Sequence, residues 1–177
     1  MTSLAPSPAS LSTRAAIAAD IPLVRELAER TWRVSYAEML TGAQIEYMLA
    51  WMYAPEQIAK ELREGVVWEV AMHEGEPIGF LSVALIGPQA KLNKLYVLPE
   101  LQGRGFGAAL LRRVEEIAQA RGAQEIWLQV NKHNDRARRV YERAGYAVER
   151  GAVFDIGGGF VMDDFLLRRD LRAPAGG

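Results

Sequence analysis

Apolar residues recur at helical spacing through the first third of the chain and at strand spacing after it. Thr13–Ile17 is a short apolar run that reads as a strand. Asp20 then stands as an N-cap with Pro22 in the first turn, and Val24, Leu27 and Ala28 put apolar groups on one helix face. Thr41 is the next N-cap, ahead of Ile45, Met48, Leu49 and Met52; Pro55 opens a third short helix that Gly65 closes. Trp32, Tyr36, Met48 and Trp51 read first as core residues. From residue 66 the period falls towards two. Val66–Met72 and Ile78–Ile86 predict strands joined by a turn at His73–Pro77, which puts His73 on a solvated hairpin tip. Lys91–Leu98 predicts another strand, stopped by Pro99. Ala108–Ala120 predicts an amphipathic helix with Leu110, Leu111, Val114, Ile117 and Ala118 inward, and Arg112, Arg113, Glu115 and Glu116 outward. A strand at Ile126–Val130, a helix at Asn134–Ala144 and two strands at Tyr146–Phe154 and Phe160–Leu167, around Gly157–Gly159, complete the chain.

That order, with no internal repeat, predicts one α/β (α+β) domain whose mixed, mostly antiparallel central sheet is flanked by helices on both faces. The domain is expected over residues 13–172, with a disordered leader at 1–12 and a flexible tail at 173–177. The 177 residues are enough for a real core, and 50% hydrophobic residues with 24% charged ones agree with that. A formal net charge of −1 argues against a nucleic-acid partner. The leader lacks the basic and apolar regions of a signal peptide, and no apolar run is long enough to span a membrane, so a cytoplasmic protein is expected. With no cysteine and only two histidines, the chain has no thiol nucleophile and no basis for a thiolate or histidine-rich metal site; no metal is expected.

The most informative chemistry lies in Tyr96–Leu111 (YVLPELQGRGFGAALL), where a strand runs into a glycine-rich turn that opens a long helix. Glycines at alternate positions let successive N–H groups face one concavity, and the helix dipole strengthens it as an anion site, with Arg104 adding a charge. Phosphate or pyrophosphate is the natural ligand. Gly103-x-Gly105-x-x-Ala108 formally satisfies a dinucleotide fingerprint, but residues 99–102 separate the strand from the first glycine, and no acidic residue ends a second strand at the required distance. The Gly-Lys-Ser/Thr of a Walker loop is absent, and a purely structural glycine turn is the remaining alternative.

Gln102-x-x-Gly105-x-Gly107, after the strand-like Lys94–Glu100 (KLYVLPE), resembles the pyrophosphate-binding motif of the GNAT superfamily of acetyl-CoA-dependent N-acetyltransferases. Asn131–Tyr146 (NKHNDRARRVYERAGY) is similar to that family's second block, with Asn134, Ala137, Tyr141, Gly145 and Tyr146 in matching places. The resemblance is specific over residues 92–147. It implies that the central strand splays from its neighbour and leaves backbone groups of Leu95, Tyr96 and Val97 free for the pantetheine arm. Gln102, Gly103, Arg104, Gly105, Phe106 and Gly107 would hold the pyrophosphate, with Asn131, Asn134, Arg136, Ala137 and Tyr141 also facing coenzyme A. Asn134 has an independent reading as a helix N-cap, and His133 reads as a loop residue.

The implied reaction is direct attack of an amine on acetyl-CoA through a tetrahedral intermediate, with the Val97 N–H at the oxyanion and the Tyr141 hydroxyl at the departing sulfur. Asp155–Leu167 and Glu46–Met52 also look like PaiA-type members, some of which acetylate polyamines, so a small polyamine-like primary amine is the favoured acceptor. A peptide or protein N-terminal acetyltransferase and a non-catalytic acyl-CoA sensor are the alternatives. Trp32, Tyr36, Asp155 and Phe160 are the candidate acceptor-site residues; Asp155, Asp164 and Glu38 are candidate bases. Lys91 and Asn93 stand near where related sequences commonly carry a strand carboxylate. By family analogy a homodimer is plausible. Residues 102–143 carry nine basic and five acidic side chains against 12 and 17 in the remainder, so the neutral total averages a positive cofactor half and a mildly acidic rest.

Overall fold

A computed structural model describes residues 10–172. The leader up to residue 9 and the tail 173–177 of the sequence reading lie outside the described residues. Strand β1 (Leu11–Ala15) begins inside the segment read as leader and two residues before the strand expected at Thr13. Helices α1 (Ile21–Ser35), α2 (Gly42–Met52) and α3 (Pro55–Arg63) follow, then strands β2 (Val67–His73), β3 (Glu76–Ile86) and β4 (Gln89–Val97). Helix α4 (Phe106–Ala120), strand β5 (Glu125–Asn131), helix α5 (Asp135–Arg143) and strands β6 (Ala147–Gly157) and β7 (Phe160–Asp170) complete the chain.

The seven strands form one sheet in the order β1-β2-β3-β4-β5-β7-β6, antiparallel except where β4 meets β5. Period-two alternation sends every other side chain to each face. On one face Leu81, Leu92, Ile126 and Leu128 pack under α4 and α5, against Leu110, Leu111 and Val114. On the other, Trp68, Val70 and Phe80 pack under α1 to α3, against Leu27, Trp32, Met48 and Ile58. Helices therefore cover both faces, as the alternation of elements predicts.

The fold corrects four expectations. His73 belongs to β2, not to the hairpin tip: its ring is 6% exposed, sits edge-on to Phe106 at 4.9 Å, and its Nδ1 lies 2.5 Å from Ser10 Oγ. On α4, Glu115 is turned inward at 13% exposure, and Arg113, though 40% exposed, is held to the sheet. Arg113 forms a two-pronged bond at 2.9 and 2.7 Å to Glu69, a 6%-exposed carboxylate on β2, and Glu115 pairs with Arg169 on β7. Thr41 caps α2 by accepting from Gln44 N at 3.2 Å. Asp20 makes no such bond to α1; it accepts from Ile17 N and from Arg14. Trp51 is half exposed and is not a core residue.

Candidate active site

β4 pairs with β5 only from Gln89 to Leu92. At that point the register against β3 slips, with Ser82 opposite Lys94 but Val83 opposite Leu92, so Asn93 is an extra residue in β4. A bulge of this kind bends its strand and ends pairing. Beyond it β4 stays with β3 and leaves β5, opening a notch. Leu98 donates its N–H to Ile78 O at 2.9 Å on the β3 side. By strand alternation the backbone groups of Leu95 and Val97 face the notch. A cleft of about 1180 Å³ runs through it, from the glycine turn to α2 and the β6–β7 hairpin.

At one end of the cleft Gly103 and Gly105 take left-handed φ values of 78° and 86°, and Gly105 is the N-cap of α4. That conformation is open to glycine and strained for other residues, and it turns the first N–H groups of the helix outward. Gln102 clips the turn in place by donating to Val97 O at 3.0 Å and to Ser35 Oγ at 3.2 Å. From α5, the Arg136 guanidinium reaches to 3.0 Å from where a Cβ on Gly103 would sit. Nothing lies within 4 Å of a Cβ on Gly107. Bare backbone, a helix N-terminus and a guanidinium make a cradle fit for a diphosphate. Two residues assigned to it from sequence do not bring their side chains to it: the Arg104 side chain is exposed and does not line the cleft, and the Phe106 ring is buried against His73, which leaves Phe106 its backbone N–H at the start of α4.

At the middle of the cleft three tyrosines meet. Trp32 stacks on Tyr36 with ring centroids 4.4 Å apart, and the Tyr36 and Tyr96 hydroxyl oxygens are 3.3 Å apart. Tyr141, on α5, lines the same space. Burial pushes the hydroxyls of Tyr36, Tyr96 and Tyr141 above the usual tyrosine range, so each keeps its proton at neutral pH. Asn134 caps α5 by accepting from Ala137 N at 3.1 Å, and Asn131 Oδ1 accepts from His133 N at 2.9 Å, holding the loop that starts the helix. Both asparagines also line the cleft, with Ala137 beside them.

The far end is walled by Trp51, Phe154 and Ile156 with Met39, Met48, Met52 and Met162, four of the chain's six methionines. Of the candidate acceptor residues Trp32 and Tyr36 line the cleft. Asp155 and Phe160 do not: Asp155 is exposed and accepts from Gly157 N at 2.9 Å, and Phe160 packs on Tyr47 at 5.2 Å. Among the candidate bases Glu38 lines the mouth and Asp164 the interior. Asp164 is 4% exposed, its Oδ1 has no hydrogen-bond partner, and burial pushes its carboxyl up to about 6. Lys91 and Lys94 also line the cleft, with their ammonium groups over Trp127 at 4.7 Å and over Tyr53 at 5.4 Å. The methionine wall and the Tyr36–Tyr96 contact escaped the sequence reading, because those residues look like ordinary helix and strand core. Among the described residues no group of three or more His, Cys, Asp or Glu could hold a metal ion, and no helix is long and apolar enough to cross a membrane.

A notched mixed sheet with an anion cradle at the notch defines a known class of protein. The family profile described as Acetyltransferase (GNAT) family matches residues 23–146, and the chain belongs to that family. An uncharacterized N-acetyltransferase of Mycobacterium tuberculosis is 34% identical over 103 residues, 57% of this chain and 65% of the relative, so the match spans just under two thirds of that relative's length. The spermidine N(1)-acetyltransferase of Thermoplasma acidophilum is 27% identical over 135 residues, 73% of this chain and 84% of that one. A crystal structure of a PaiA N-acetyltransferase from Thermoplasma acidophilum in complex with coenzyme A matches with a TM-score of 0.79 at 25% identity, covering 91% of this chain and 99% of that chain.

Proposed function

We propose that the protein is an acetyl-CoA-dependent N-acetyltransferase acting on a primary amine of a small, polyamine-like molecule. The observation that carries this is the notch itself: the backbone of Leu95 and the N–H of Val97, which β5 does not pair, line the same cleft as the cradle at Gly103–Gly107 and Tyr141. The spermidine acetyltransferase and the PaiA–coenzyme A complex among the similar proteins support the choice of donor and of acceptor class.

Acetyl-CoA supplies the activated acetyl thioester. Gly103, Gly105, Gly107 and Arg136 would hold its diphosphate, and the notch edge of β4 would take the pantetheine arm as an added strand takes a sheet edge. The Val97 N–H faces the notch, where it can donate to the charge that develops on the acetyl oxygen during attack. Tyr141 keeps its proton through neutral pH because burial disfavours the phenolate, so it can give a hydrogen bond or proton to the leaving sulfur.

The test is a thiol-release screen of acetyl-CoA against polyamines, amino acids and short peptides. Transfer to polyamines is expected; turnover with peptides alone would replace the small-molecule reading by an N-terminal acetyltransferase, and coenzyme A binding without turnover would make the protein a sensor. Tyr141→Phe is expected to lower kcat by about 10²-fold while leaving coenzyme A affinity unchanged. Unchanged kcat would remove Tyr141 from the chemistry.

A further inference from the structure

An amine with the pKa of a lysine, about 10.4, is almost entirely an ammonium at neutral pH, so transfer needs a group that removes a proton. Three carboxylates were candidates from sequence, and the fold separates them. Asp155 is outside the cleft and tied to the turn at Gly157. Glu38 is exposed at the mouth, where water solvates it. Asp164 alone among the three is inside.

We propose that Asp164 is the residue that seats the acceptor's ammonium and takes its proton before and during attack. Four features of its surroundings carry this. Asp164 lies on β7 directly opposite Asn131 of β5, at the point where the cleft crosses the sheet. Its side chain is buried, with one oxygen lacking any partner. An unpaired buried carboxylate oxygen is costly, and a cationic nitrogen would satisfy it. The hydroxyl of Tyr36, which touches Tyr96 of the notched strand, lies within electrostatic reach of it, and all three residues line the one cleft.

Its charged neighbours do not occupy it. On β7 Asp163 disfavours its charge; from the β5–α5 loop Lys132 favours it, but Lys132 is paired with Asp163. On β4 the ammonium groups of Lys91 and Lys94 lie over Trp127 and Tyr53. Burial moves the Asp164 carboxyl to about 6, low enough to be ionised at neutral pH and closer to the amine's range than a free aspartate.

The step balances simply. The carboxylate takes one proton from the ammonium, the freed nitrogen lone pair forms the N–C bond, the C–S bond breaks, and the thiolate leaves with its electron pair, protonated by Tyr141 or solvent. The nitrogen's second proton leaves to water, or to the carboxylate once that has passed its first proton to water. The reading rests on the acetyltransferase proposal and deepens it.

The experiment compares wild type and Asp164→Asn over pH 5–9 with an alkylamine and with a weakly basic alkoxyamine that is already unprotonated at neutral pH. With the alkylamine, wild-type kcat/KM should break near pH 6, whereas the variant should show no break there and rise steadily over the whole range with the fraction of free amine, and at neutral pH the variant should be slower by about 10²–10³-fold. With the alkoxyamine the loss should shrink to a few-fold. Calorimetric titration should show unchanged coenzyme A affinity in the variant. The wild-type profiles alone are informative, since the break should weaken with the alkoxyamine even without a variant. Equal losses with both amines, or a break near pH 6 retained in Asp164→Asn, would overturn the role of Asp164. Wild type that acetylates no amine but binds coenzyme A overturns the acetyltransferase reading, and this inference with it.

Discussion

A carboxylate that is 96% buried and keeps an oxygen without a partner burdens the fold it sits in. Asp164 titrates at about 6 in the folded protein against about 3.9 for an unfolded aspartate. Its protonated form therefore favours folding; that contribution is complete below about pH 4 and is lost as pH rises through 6. Asp164→Asn should accordingly be more stable than wild type at pH 7–8, by about 2–3 kcal/mol, and should converge with it below pH 4. Thermal unfolding across pH 4–8 measures this, and a less stable variant at pH 8 would mean that the carboxylate is internally satisfied. Tyr141 illustrates the complementary case, since burial keeps a neutral donor neutral. The sequence could nominate both residues by position, but whether each is buried, and beside what, depends on segments more than 100 residues apart: Tyr36, just past the end of α1, and Asp164 on β7.

At the scale of elements, the cradle is a property of the turn and of α4. Gly105 is needed for its left-handed φ of 86°, so any substitution there mixes backbone strain with loss of ligand. Gly107 separates the two effects. Its backbone is ordinary helix, and a Cβ there has nothing within 4 Å. Gly107→Leu should preserve or raise stability, by up to about 0.8 kcal/mol from helix propensity, while weakening coenzyme A binding on the order of tenfold or more, about 1.4 kcal/mol. Thermal unfolding and calorimetry on the same preparation read both quantities, and undiminished affinity would move the diphosphate elsewhere. The glycine turn, α4 and α5 were legible because their signals are local: spacing, caps and an amphipathic stripe. The bulge at Asn93 was not, since it exists only as a mismatch of register between β3 and β4, and that mismatch makes the notch.

At the scale of the whole molecule, the cleft is closed by parts from the two ends of the chain. On α2, Tyr47 donates to Ile156 O at 2.7 Å and Gln44 donates to Val161 O at 2.8 Å, clasping the β6–β7 hairpin. The glycines of that hairpin permit the approach: a Cβ on Gly158 would meet the Tyr47 ring at 2.8 Å. The clasp sets the distance between the methionine wall of α2 and Phe154, Ile156 and Met162 of the hairpin. Removing both bonds with Tyr47→Phe and Gln44→Ala, each worth about 1 kcal/mol, should raise KM for the amine and leave KM for acetyl-CoA unchanged, because the cradle is at the opposite end. Steady-state kinetics with each substrate varied in turn decides it; equal shifts in both would show that the clasp supports the fold rather than the acceptor end.

The division between sequence and tertiary structure follows from the range of the forces involved. Amphipathic period, glycine and proline punctuation and the two motif blocks act over a few residues, so the sequence by itself determined the mixed sheet with helices on both faces, the anion-binding turn and the family. Side-chain destinations that depend on tertiary pairing were not legible: His73 was read as solvent-exposed and is buried in β2, and Glu115 was read as outward and pairs with Arg169 of β7. Asp155 and Phe160 do not line the cleft, while Asp164 does. Strand pairing decides which carboxylate enters a low-dielectric cleft, and pairing is set by long-range contacts that no local pattern contains. What only the tertiary structure decided is therefore the acceptor end, where residues from α1, α2, β4, β6 and β7 meet.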